Sequence, residues 1–289
     1  SDKFTWFDTE EDSFFHSIGK YDHTPKGEKA FYDYSVDATV VAKKRSGEKF
    51  FPVIETMHYD ERLTKLPVGT AVLITDPDHD RLTVTQTEKA DKISELEKAG
   101  IDYVRLNNDL ILTVFTANQA FLMLMDFWSK QLKSQNLWNN HPRFMIKTTA
   151  SAISWDEWAK KQGIKVVNVP VGFKEIANIM KKVELKLKNN PKKEVIIDDV
   201  LGNSINLGVN PRLVFAGEES GGMIMGTEEL IKSQNGRFAI AMREKSATEA
   251  IIVASALLAK LQKEQTPLSE YLVQIFEENN IIGRFDTRV

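Results

Sequence analysis

Apolar and polar positions fall into readable periods from Pro67 onward. Ala71 to Thr75 is a short apolar run between a glycine-containing turn and a proline, the pattern of a buried strand. Leu82 to Thr87 alternates with β-branched residues and reads as the next strand. Ala90 to Ala99 reads as a helix stopped by Gly100, and Asp109 to Phe115 as a strand. Three helices then carry the same start signal. Thr116-Ala117-Asn118-Gln119, Ser154-Trp155-Asp156-Glu157 and Ser246-Ala247-Thr248-Glu249 each match a capping box, in which the hydroxyl accepts from the third helical N–H and the Gln or Glu reaches back. They predict helices over Ala117 to Gln135, Trp155 to Gln162 and Ala247 to Lys263, with Gly163 closing the second. Phe173, Ile176, Ile179, Met180 and Val183 share one face of a further helix that runs to about Lys186. A last helix begins near Pro267.

Strand candidates lie between these helices: Arg143 to Thr148, Lys165 to Val169, Val195 to Ile197 and Arg212 to Ala216. Strand alternating with helix argues for α/β layers around a mainly parallel sheet. A domain boundary is expected near Leu112 to Thr116, dividing the chain into 1–113 and 114–289. Before about Leu66 the pattern is weaker. Aromatics are frequent there (Phe4, Trp6, Phe7, Phe14, Phe15, Phe31, Tyr32, Tyr34) and are expected to pack, with strands over Tyr34 to Lys43 and Lys49 to Ile54.

Composition narrows the class. The chain has 289 residues, 42% hydrophobic and 27% charged, the mix of a globular protein with room for two domains. A net charge of -3 gives no general attraction for nucleic acid or an acidic membrane. Six lysines between 181 and 193 have no interleaved aromatics, so they read as a solvated helix end. The longest apolar run, Ala250 to Ala259, is too short to span a membrane. Without cysteine there is no disulfide, thiolate nucleophile or cysteine metal site, which fits a cytoplasmic protein. A first residue Ser1 suggests a processed product or a piece cut from something longer.

The densest chemistry is Asp76-Pro77-Asp78-His79-Asp80-Arg81, between two expected strands. Three carboxylates at alternate positions can converge on one hard cation, Mg²⁺ or Ca²⁺. Arg81 puts a fixed positive charge beside them, able to hold a phosphate or lock one Asp. An EF-hand is excluded, because its sixth and twelfth positions would be Arg81 and Thr87. A haloacid-dehalogenase-type phosphatase also places two Asp after an apolar strand, but wants Thr or Val where Asp80 stands. A solvated acidic turn is the plain alternative.

Together with the later motifs of the chain, the loop resembles that of the alpha-D-phosphohexomutase family, which includes phosphoglucomutase and phosphomannomutase. The family's metal loop reads Asp-x-Asp-x-Asp-Arg, as Asp76 to Arg81 does. In order after it, Thr116 to Gln119 resembles the opening of the family's third domain, Val171-Gly172-Phe173-Lys174 its Gly-Phe-Lys turn, Gly217-Glu218-Glu219-Ser220-Gly221 its sugar loop, and Arg243-Glu244-Lys245 the start of the next helix. The family often has His where Gly222 stands and Asp where Ser246 stands.

The resemblance implies two three-layer α/β/α domains with mainly parallel mixed sheets. It implies a Mg²⁺-dependent mutase that interconverts sugar 1-phosphate and 6-phosphate through a phosphoserine and a bisphosphorylated sugar. Asp76, Asp78 and Asp80 would hold the metal, and Arg81 and Lys147 would be catalytic. Glu218, Ser220, Lys174, Arg243 and Lys245 would contact a hexose phosphate, of glucose or mannose. By strand alternation Glu219 should point away from Glu218. The family's phosphoserine motif and its C-terminal Ser-Gly-Thr clamp are absent. Thr149-Ala150-Ser151 lacks the following His-Asn and comes after the acidic loop, so Ser151 is a decoy. The chain therefore reads as a middle fragment, inactive without the missing domains of the same polypeptide. The alternative is a non-catalytic protein of the same fold that binds sugar phosphate or a partner.

Overall fold

The computed structural model describes residues 59–76 and 79–284, Phe51, and four two-residue strands before it. Those strands pair as Tyr21–Asp22 with Phe31–Tyr32 and Ala42–Lys43 with Lys49–Phe50, both antiparallel. The rest of the strands expected over 34–43 and 49–54, the packing of the N-terminal aromatics, and Pro77 and Asp78 lie outside the described residues.

A short helix, α1 (Tyr59–Leu63), leads into β1 (Ala71–Thr75) and β2 (Leu82–Lys89). Helix α2 (Ile93–Ala99) ends at Gly100 in the left-handed region (φ 69), as the sequence predicts, and is followed by β3 (Asp102–Arg105) and β4 (Leu110–Phe115). These four strands form one sheet in the order β1-β2-β4-β3, and every pairing in it is antiparallel. Among the described residues, parallel pairing is confined to the second sheet. It is built from β5 (Arg143–Thr148), β6 (Lys165–Val169), β9 (Arg212–Gly217) and β10 (Met223–Met225) in the order β6-β5-β9-β10. There β5 runs parallel to both β6 and β9, while β10 closes the edge antiparallel. Between them, β7 (Glu194–Asp198) and β8 (Ser204–Val209) make a separate hairpin.

Helices cover both faces of the second sheet, giving the α/β/α layering. Helix α5 (Phe173–Asn189) packs Ile176, Met180 and Val183 on the side of Phe144, Ile146, Leu213 and Ala216. The opposite side meets α3 (Ala117–Ser134), α4 (Ile153–Gln162), α6 (Ala247–Glu264) and α7 (Leu268–Glu278). A register shift between Leu213 and Phe215 lets β9 send both Val214 and Phe215 to that side. Phe215 meets Trp155 edge to face at 5.2 Å between ring centres, within a core that also takes in Leu82, Val84 and Phe115 of the first sheet.

Only the first capping box forms as expected: the Thr116 hydroxyl accepts from the Gln119 N–H, and the Gln119 side chain accepts from the Thr116 N–H. The other two are diverted to distant partners. Helix α4 starts two residues early, with Ser154 inside it, and Glu157 accepts instead from the Ile282 and Gly283 N–H groups. Ser246 does precede α6, but the first helical N–H, of Ala247, donates to the His79 carbonyl, and Glu249 accepts from the Met225 N–H.

Strand β2 holds the start of α7. The Leu268 N–H donates to Gln86 Oε1 at 2.7 Å and the Ser269 hydroxyl to Glu88 Oε2 at 2.7 Å. Burial pushes the Glu88 carboxyl above its ordinary value, and the hydrogen bond from Ser269 pulls it part of the way back. The native state therefore keeps its proton to higher pH than the unfolded chain does. Stability falls as pH rises from the unfolded value through the native one, and the loss is complete above it. Glu88→Gln should melt a few degrees higher than the native sequence at pH 8, with the gap closing below about pH 4, where both carboxyl states are protonated. A lower melting temperature for the variant at pH 8 would show the sign to be wrong.

Candidate functional site

The hairpin β1-β2 pairs Thr75 with Leu82 and so closes the acidic loop between them. Asp76 ties the loop from inside. Its Oδ1 accepts from the N–H groups of Asp80 and Arg81, each at 3.0 Å, and its carbonyl accepts from the His79 N–H. His79 takes the left-handed conformation (φ 60) this turn demands, and its exposed ring meets the Thr248 hydroxyl at 3.1 Å. Arg81 Nε stands 3.6 Å from both Asp76 Oδ2 and Asp80 Oδ1.

The loop is seated directly on the Glu218 segment. Arg81 forms an antiparallel bridge with Gly222, and the Leu82 N–H donates to the Gly221 carbonyl at 3.1 Å. Gly221 lies at φ 102, and a Cβ there would come within 3.3 Å of Arg81 Cβ, so glycine serves both the conformation and the approach. Residues some 140 positions apart in sequence thus form one site.

Within it, Lys245 Nζ lies 3.0 Å from Asp80 Oδ2 and 3.6 Å from Glu218 Oε1. It also sits over the Phe173 ring at 5.8 Å, which brings the Gly-Phe-Lys turn to the same place. Lys174, the next residue, is exposed in the first turn of α5. Three described carboxylates, Asp76, Asp80 and Glu218, face two cations, Arg81 and Lys245. Burial pushes the Asp76 carboxyl up to about 6; the Arg81 and Asp80 N–H groups oppose the shift and the Asp80 charge adds to it. Two buried oxygens, Asp80 Oδ1 and Ser220 Oγ, have no hydrogen-bond partner. Buried polar atoms left this way are costly unless something satisfies them. Asp76 and Asp80 are the described residues whose oxygens could take a hard cation. Asp78, the third expected ligand, lies outside the described residues, among which no cluster of three potential ligands occurs.

Glu219 faces another side than Glu218, but a turn sets this rather than strand alternation: the Gly221 N–H donates to the Glu218 carbonyl, and the Glu219 carboxylate accepts from the Thr148 hydroxyl at 2.6 Å, beside Ser151. Ser151 is buried and held by Thr148. Two expected site residues face elsewhere. Lys147, at the end of β5 opposite Gly217, turns inward: its ammonium donates to the carbonyls of Ser151 and Ala152 and to Asp156, so all three N–H groups are used. Arg243 pairs with the buried Glu184 of α5, which also accepts from the Ile240 N–H. Both carboxylates sit in polar-looking helix segments, and nothing in their local sequence marks them as partners. Asn118, inside the first capping box, has a role that the box does not signal: its side chain accepts from the Ala152 N–H and its carbonyl from the Trp155 indole, fixing the Ser151 turn.

The family model described as phosphoglucomutase/phosphomannomutase, alpha/beta/alpha domain III, matches residues 118–278, more than half of the chain. No curated protein matches it. Among solved structures, a protein described as a phosphomannomutase from Thermus thermophilus aligns at 18% identity and TM-score 0.41, over 77% of this chain and 34% of the other. An N-acetylglucosamine-phosphate mutase of the alpha-D-phosphohexomutase superfamily aligns at 12% and 0.40, over 74% and 41%. An Aspergillus fumigatus N-acetylphosphoglucosamine mutase, solved with GlcNAc-6P and magnesium, aligns at 10% and 0.36, over 79% and 34%. The chain thus spans between a third and about two fifths of the length of these solved proteins.

Proposed function

Because the chain belongs to the phosphoglucomutase/phosphomannomutase family, we propose that it is the metal- and sugar-binding portion of a Mg²⁺-dependent phosphohexomutase. The whole protein would interconvert the 1- and 6-phosphates of a hexose through a phosphoserine on a part of the polypeptide that this chain lacks. Residues 1–113 and 114–289 are taken as its two domains. The observation that carries the reading is the seating of the Asp76–Arg81 loop on Gly221 and Gly222. It sets two carboxylates of the acidic loop beside Glu218, where a phosphate and the sugar that bears it would lie side by side.

The residues present fit the metal: hard carboxylate oxygens, one of them buried and without a hydrogen bond, with negative charge exceeding positive. When bound, Mg²⁺ neutralises charge on the transferring phosphoryl group. Asp76, Asp78 and Asp80 are the proposed ligands. Arg81 keeps two of these carboxylates in place. Glu218 accepts from sugar hydroxyls, and the unpartnered Ser220 hydroxyl gives or takes one more hydrogen bond. Lys174 and Lys245 are the cations positioned to meet the substrate phosphate. The inward-turned Lys147 acts as a positioning residue for the Ser151 turn, and Arg243 as a strut to α5.

Titration calorimetry with Mg²⁺ or Mn²⁺ tests the metal assignment. The native chain should give a binding signal, and Asp78→Asn should lose it. An equal signal in Asp78→Asn would overturn the assignment of this loop.

A further inference from the structure

We propose that Lys245 is a built-in counter-ion: it ties Asp80 of the acidic loop to Glu218 of the sugar loop, and a divalent cation must displace it from Asp80 to bind. The inference rests on the metal reading above and adds to it a residue that sets metal affinity and couples it to the sugar loop.

The ammonium lies 3.0 Å from Asp80 Oδ2 and 3.6 Å from Glu218 Oε1, and the side chain is only 12% exposed. A lysine anchored this firmly is not a solvated surface charge. Its position is electrostatically uphill without those partners, because it stands two residues before the first turn of α6, where the helix dipole repels cations. The carboxylates hold it there. Gly222 lets it in: a Cβ at 222 would meet Lys245 Cδ at 2.5 Å, Glu218 Oε1 at 3.3 Å and Phe173 Cδ2 at 3.4 Å. The lysine stem occupies the space that any larger residue at 222 would need.

A cation arriving between Asp76 and Asp80 meets a positive charge already bound to one of its ligands. Part of the binding energy must go to moving that charge. Once released from Asp80, the ammonium remains beside Glu218, close to where the proposed sugar phosphate brings negative charge. Linkage makes the effect reciprocal: whatever draws Lys245 off Asp80 strengthens metal binding, and metal binding strengthens whatever draws it.

Mn²⁺ affinity, read by calorimetry or by loss of the free-ion paramagnetic resonance signal, tests this without any activity measurement. Lys245→Met should bind Mn²⁺ about three- to tenfold more tightly than the native chain. Lys245→Arg, which keeps the charge, should stay near the native affinity. Gly222→Ala changes no charge but pushes the lysine stem aside, and should shift affinity in the same direction as Lys245→Met; it carries the test alone should Lys245→Met fail to fold. Equal or weaker binding by Lys245→Met overturns the counter-ion role while leaving the metal site standing. No Mn²⁺ uptake by the native chain or any variant overturns both.

Discussion

Asp126→Ala is expected to destabilise the fold by about 3–5 kcal/mol, the range for removing one partner from a buried charged network. Asp126 is 1% exposed on α3. Its Oδ1 accepts from the Trp158 indole of α4 at 3.1 Å. Its Oδ2 accepts from the Tyr271 hydroxyl of α7 at 2.7 Å and faces Lys130 Nζ at 2.8 Å. Burial together with the Asp126 charge keeps the Tyr271 hydroxyl protonated well above its ordinary range, so it is a permanent donor. Alanine would leave an indole N–H and a phenol O–H with no acceptor inside the core, and half-buried Lys130 without its nearer carboxylate. Asp126→Asn keeps the shape and an acceptor, and should lose markedly less. Urea titration of both variants checks this; a loss under about 1 kcal/mol for alanine would mean that water replaces the carboxylate.

Lys147→Met should also unfold more easily, by about 2–4 kcal/mol, with the penalty coming from carbonyls and a carboxylate left unpaired. Resemblance alone assigns Lys147 to catalysis. Its surroundings support the positioning role proposed above. With 4% exposure it gathers Ser151, Ala152 and Asp156 into the turn that starts α4. A catalytic ammonium held free for substrate would be replaced by methionine at little cost in stability. The two roles therefore separate in a denaturation experiment on this chain, with no need for activity. Unchanged stability in Lys147→Met would return the residue to the catalytic set.

The elements were largely legible because their signals are local. β1, β5 and β6 run over the residues that their apolar runs mark, and α5 runs on from Phe173 with the expected face inward. The strands that went unread are those whose pattern is short or weak, even though each pairs with its neighbour in sequence. β3 reads Asp-Tyr-Val-Arg and is an edge strand, β10 has three residues, and β8 carries polar residues because its hairpin is half exposed. Strand direction was not legible either. Alternating strand and helix suggests parallel pairing, yet β1 and β2 are joined by the acidic loop alone, too short for a crossover, and are antiparallel.

By itself the sequence determined the motifs on which the proposed function rests: an acidic loop at a strand end, a glutamate loop with paired glycines, and their order along the chain. Motif residues act at short range, and the turn that Asp76 closes on its own backbone needs nothing from outside. The partners of the long charged side chains were decided only by the tertiary structure. Lys147 found Asp156, Arg243 found Glu184, Glu249 found a β-strand N–H in place of its own helix end, and Lys245 found both loops. A charged side chain takes the partner that packing brings within reach. For the last three of these that partner comes from another segment, which only the assembled fold places beside them.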